Sequence, residues 1–105
     1  MCEVCDKVLI DLRNEAKISE IPVPLVHGFL QDGGIAPSEL HSKTVQVLHE
    51  LIVSDGLLVC ELEGEFRPWP EIGIHALRRL IALGPPEGSG PTSYLFLIRR
   101  ELLTS

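Results

Sequence analysis

The apolar residues of this chain change their spacing at Gly56, and that change limits the folds open to it. In the stretch "SELHSKTVQVLHELIVSDGLLVCELEGEF", residues 38 to 66, Leu40, Thr44, Val47, Leu48, Leu51 and Ile52 recur at intervals of three and four. They trace one face of a helix that starts near Pro37 and Ser38. Beyond Gly56 the period falls to two: Leu58, Cys60, Leu62 and Phe66 point one way, and Glu61, Glu63 and Glu65 the other. A strand follows, turning at Glu63 and Gly64 into a short return strand that ends at Pro68. Spacing alone does not decide whether residues 38 to 54 make one helix or two with a turn near His41 and Ser42.

The flanking segments belong to the same class. In "CEVCDKVLIDLRNEA", Val4, Val8, Leu9 and Leu12 line one side of an amphipathic helix, which "ISEIPVPL" stops because Pro22 and Pro24 lack a backbone donor. A short helix beginning at Pro24 carries Leu25, Val26, Phe29 and Leu30, and ends where Gly33 or Gly34 can take the left-handed conformation. From Pro70 to Leu83, Ile72, Ala76, Leu77, Leu80 and Ile81 mark a fourth helix with Gly84 at its exit. "PPEGSGPT" is a turn-rich connection, and "SYLFLIR" is a strand whose lack of alternation implies cover on both faces. The expected architecture is α+β, about four helices with a small two- or three-stranded sheet, in one domain over residues 1 to 105.

The segment "GGIAPSELHSKTVQVLHELIVSDGLLV" resembles the winged-helix group of helix-turn-helix domains over about residues 33 to 62. It has a Ser-Glu-Leu helix start, a turn, a longer helix and a Gly-Leu-Leu-Val entry to a wing strand. The resemblance implies that residues 43 to 54 are a recognition helix. The helix from Pro70 and the strand from Ser93 to Ile98 extend beyond a minimal wing.

Charge works against DNA reading. The chain carries a net charge of −6, and residues 1 to 66 hold four basic side chains against twelve acidic ones. Residues 67 to 105 reverse the balance, with five arginines against three glutamates. A DNA reader draws its non-specific affinity from Lys and Arg set against phosphates. The outward positions of the longer helix, Lys43, Thr44, Gln46, His49 and Glu50, supply one fixed positive charge. Gln46 can bond adenine, and Arg67, Arg78, Arg79, Arg99 and Arg100 are the cations left to make a basic patch.

Few residues point to chemistry. "CEVC" sets Cys2 and Cys5 three apart, a spacing used by zinc sites and redox motifs. A structural zinc site needs four ligands, so Cys60 and one of His27, His41, His49 or His75 would have to complete it through the fold. The expectation is reduced cysteines on a helix surface or in the core, with no structural disulfide, no metal and no cofactor. The histidines adjoin no nucleophile signature, which argues against an enzyme. The N-terminus lacks a basic leader and no apolar run approaches membrane-spanning length, so a cytoplasmic address without membrane insertion is expected.

Two functions from different classes remain. Glu61, Glu63 and Glu65 raise the local negative potential, and "FRPWP" puts Phe66, Arg67 and Trp69 beside them, Trp with Arg being the pair enriched at binding hot spots. Edge-strand protection by charge and aromatic capping of a small core explain the same residues without function. The first function is a non-enzymatic module that binds a basic protein through these six residues, of the kind an immunity protein or antitoxin against a cationic toxin would be. The alternative is a dimeric winged-helix regulator that contacts DNA through Lys43, Thr44, Gln46, His49, Arg67, Arg78 and Arg79.

Overall fold

A central β-strand covered on both faces organises the structure, a computed structural model that describes residues 2–84 and 94–103. In chain order the elements are α1 (Glu3–Ala16), β1 (Ile21–Pro22), α2 (Val23–Asp32), α3 (Pro37–His49) running into a π-helical turn (Glu50–Ser54), β2 (Leu58–Glu63), β3 (Glu65–Pro68), α4 (Ile74–Ala82), β4 (Leu95–Ile98) and α5 (Arg100–Leu103). The described strands form one antiparallel sheet in the order β1-β4-β2-β3, so the last strand lies between the first and second. The class is α+β, and the sheet has four strands rather than two or three. Ile21 and Pro22 supply the fourth, pairing with Leu97 and Phe96; α1 has already ended at Ala16, and Pro22, which lacks a backbone donor, disguises so short a strand. "PPEGSGPT" lies outside the described residues.

Register decides which side chains face which layer. Val59, Leu95, Leu97 and Ile21 join the main core beneath the helices, while Leu58, Cys60 and Ile98 form a small second cluster on the opposite face. Phe66, Phe96, Leu102 and Leu103 close that cluster, with the two rings edge to face at 5.3 Å. The unalternating run in β4 is therefore explained by cover on both sides.

The helices follow the apolar spacing closely. α1 buries Cys5, Val8, Leu9, Leu12 and Ala16, and α3 with its π-helical turn buries Leu40, Thr44, Val47, Leu48, Leu51 and Ile52. Residues 37 to 54 are continuous, without a break near His41 and Ser42; the turn between helices lies at residues 33 to 36. α4 starts at Ile74 rather than Pro70 because Gly73, at φ 58°, breaks the helical path ahead of it. Ile72 consequently stays exposed, and Ala76, Leu77 and Leu80 carry the packing.

Arg13 ties α1 to the end of the long helix. Its Nε and Nη2 donate to the two carboxylate oxygens of Asp55 at 2.7 and 2.9 Å, and Nη2 reaches Glu50 at 3.3 Å. The hydrogen bonding to Asp55 raises the guanidinium pKa against the opposing effect of burial. The side chain is 40% exposed, so water screens the clasp and its contribution to stability is about 1 kcal/mol or less.

The cysteines depart from expectation. Cys2 and Cys5 are joined as a disulfide. Cys2 is the N-cap of α1, with extended backbone, and Cys5 sits in the first turn, which brings their Cα atoms to 5.0 Å, inside bridging range. The expectation of reduced thiols rested on compartment alone and took no account of this local geometry. Cys60 remains a free thiol, buried, and desolvation pushes its pKa up to about 11.

A Cβ on Gly33 would stand 2.5 Å from Val4 Cγ1 and 3.3 Å from the Phe29 carbonyl, and valine is stiff at χ1. Gly33→Ala is expected to cost about 1–3 kcal/mol as overpacking between α1 and α2, read as a lower urea midpoint at constant m. Cys60 ionises near 9.0 when unperturbed and near 11 in the fold, so between these values the unfolded chain gives up a proton that the folded chain keeps. Stability from this group is full below about pH 9 and is lost as pH rises toward 11, about 3 kcal/mol in all. Denaturation at stepped pH should show that slope in the native sequence and lose it in Cys60→Ala.

Candidate functional site: the β2–β3 hairpin

Gly64, at φ 79°, allows a one-residue reversal that sets Glu63 directly opposite Glu65, with Leu62 opposite Phe66 and Glu61 opposite Arg67. Paired residues of an antiparallel ladder share a face. Glu61, Glu63, Glu65 and Arg67 therefore project together, and Leu62 and Phe66 project from the other side. The three carboxylates are not a ladder along one strand, as a spacing of two implied; Glu65 has crossed the turn into β3. They still occupy one face, with Arg67 among them.

That face is the one the sheet turns toward its main core. Glu61 pairs with Leu95 of β4, a main-core residue, so the acidic group continues the core face past the point where the helices cover it. Alternation in the sequence makes the glutamate side look like the outer surface. Val59 and the apolar β4 reverse that assignment.

Hydrogen bonds and ion pairs divide the carboxylates. Glu61 accepts from the indole Nε1 of Trp69 at 3.1 Å, and Glu63 stands 3.6 Å from Arg67. The latter pair is well exposed on both sides and adds little stability. Glu65 and Glu63 are the solvent-facing acids at the hairpin tip.

Trp69 is only 6% exposed and belongs to the main core; its backbone N–H donates to the Val59 carbonyl at 2.8 Å. The Arg79 guanidinium lies 4.0 Å above the ring centroid and pairs with Glu71. Phe66 is half-buried against the second cluster. The aromatics of "FRPWP" thus anchor the hairpin from opposite faces, Trp69 in the main core and Phe66 against the second cluster, and the exposed residues they leave are Glu63, Glu65, Arg67 and Leu62.

The residues expected at a DNA surface are separated. Thr44 is fully buried, with its hydroxyl donating to the Leu40 carbonyl at 2.7 Å, so it cannot touch a base. Lys43, Gln46 and His49 line an open hollow of about 610 Å³ with Glu50, Val45 and Cys2. Arg67, Arg79 and Arg99 each engage a glutamate, and Arg78 is exposed on α4. Among the described residues no three His, Cys, Asp or Glu side chains are grouped to hold a metal ion, and no helix is long and apolar enough to cross a membrane.

Sequence reasoning missed the bonded cysteine pair, although its signal, the CxxC spacing at a helix start, was present. It also missed the Arg13 clasp, whose partners lie about forty residues away in sequence. Comparison with known proteins finds no matching family model, no matching curated protein and no matching solved structure.

The chain has one tryptophan, which makes the indole–Glu61 bond directly readable. Glu61→Ala should leave the indole without its acceptor, cost about 1 kcal/mol, and shift the emission maximum. Glu61→Gln, which keeps an acceptor oxygen, should restore both values toward those of the native sequence.

Proposed function

We propose that the chain is a non-enzymatic, cytoplasmic protein-binding module that receives a basic protein on the tip of the β2–β3 hairpin, as an immunity or antitoxin-type protein would. The observation that carries this reading is the placement of Glu63 and Glu65 directly opposite one another at an exposed turn, on the outermost pair of strands. Like charges set across a ladder cost stability, and the protein retains them where an incoming cation would relieve the repulsion. Exposed Leu62 projects from the opposite face of the hairpin, so a partner that wraps the tip would meet an apolar side chain as well as the acids. The excess of acid in residues 1 to 66 would steer such a partner from a distance and raise its association rate.

A second reading, a dimeric winged-helix DNA-binding regulator, draws support from the chain order. Three helices interrupted by one short strand precede an antiparallel sheet in which β4 lies beside both β1 and β2. Against it stand the burial of Thr44 and the single lysine on the outer face of α3.

Charge reversal at the hairpin tip tests the first reading. With immobilised polylysine and histone as basic probes, Glu63→Lys with Glu65→Lys is expected to weaken retention by tenfold or more at low salt. That is about 1.4 kcal/mol. Native retention should fall steeply as salt is raised. Unchanged retention by the double variant would remove the hairpin from the interface. Salt-dependent capture of duplex DNA by the native chain would favour the second reading.

A further inference from the structure

The bonded pair Cys2 and Cys5 takes no part in the hairpin surface, and its setting has a chemistry of its own. Cys2 caps α1 from outside the helix, is partly exposed, and lines the hollow shared with Lys43, Gln46 and His49. Cys5, one turn further in, is fully buried in the main core. One sulfur of the bond is therefore open to an incoming reagent and the other is not. The Cys5 backbone N–H donates to Cys2 Sγ at 3.1 Å, and the first turn of α1 directs its unpaired N–H groups toward the same end. These donors favour a thiolate at Cys2 once the bond opens. Lys43 on the wall of the hollow acts in the same sense, while Glu3, Asp6 and Glu50 oppose it.

We propose that the Cys2 and Cys5 pair is a reversible thiol–disulfide exchange site for low-molecular-weight thiols, entered through the hollow between the start of α1 and the outer face of α3. In the reductive direction a thiolate of an external dithiol attacks Cys2 Sγ. The bond between Cys2 and Cys5 breaks, a mixed disulfide forms on Cys2, and Cys5 departs as a thiolate that takes up a proton. The second thiolate of the reagent then attacks its own sulfur in the mixed disulfide, releasing Cys2 as thiolate and leaving the reagent as a cyclic disulfide. Two electrons pass from dithiol to protein. A small disulfide such as oxidised glutathione runs the sequence backwards: Cys2 attacks, a mixed disulfide forms, and Cys5 closes the bond by displacing the second glutathione thiolate.

Cys60 provides an internal control, because its thiol is buried away from this end of the molecule and can be alkylated only after unfolding. Oxidised native protein is treated with dithiothreitol, quenched with iodoacetamide and weighed intact. The expected result is two alkyl groups, placed by peptide mapping on Cys2 and Cys5, with Cys60 unmodified. In Cys5→Ala, and in Cys5→Ser should the first variant lose its circular dichroism spectrum, oxidised glutathione should add once, at Cys2. Donors that stabilise the Cys2 thiolate enlarge its fraction near neutrality by more than they lower its nucleophilicity, so adduct formation should be severalfold faster in the folded variant than in the same variant in denaturant. The proposal is overturned if the pair is reduced only in molecules that also expose Cys60, or if the folded variant forms the adduct no faster than the denatured one.

Discussion

The enclosure of β4 is the constraint on which the other elements depend. This strand pairs on one edge with β1, on the other with β2, and presents apolar side chains to both layers. A strand placed so needs a helical layer on one side and a lid on the other. α1, α2, α3 and α4 supply the first; Phe66 and the leucines of α5 supply the second. The hairpin beyond β2 is then outermost on its side of the sheet, which is why its tip has room to carry charge.

Much of this order was legible in the spacing of apolar residues. The helical face from Leu40 to Ile52, the change of period at Gly56, the turn at Gly64 and the buried character of "LFLI" all express local rules, period and turn chemistry, that act over a few residues. Three features were not legible in the same way. The strand at Ile21 and Pro22 exists only because β4 offers it a partner far along the chain. The start of α4 depends on the left-handed backbone at Gly73, which composition does not reveal. The orientation of the glutamate face depends on which side of the sheet the helices occupy, and alternation is silent about that choice.

The candidate site was legible in part. The acidic residues share a face as their spacing implied, but the route is a reversal at Gly64 rather than a straight strand. Burial separates residues that looked equivalent in sequence: Trp69 and Thr44 are internal, whereas Glu63, Glu65 and Gln46 face solvent. A polar residue on a helix wheel can be core when its hydroxyl bonds the carbonyl four residues back, as Thr44 does with Leu40.

The wide turn at Glu50–Ser54 closes the long helix ahead of β2. A π-helical turn accommodates one more residue than an α-helical turn, and here it ends by handing Asp55 to Arg13 while Leu51 and Ile52 stay inside. Removing one residue from this stretch would let it close as ordinary α-helix with the later positions nearly in phase, because the wide turn takes up the extra residue. The bulge is thus how the helix accommodates one residue more and still delivers Asp55 to Arg13 and the chain to β2.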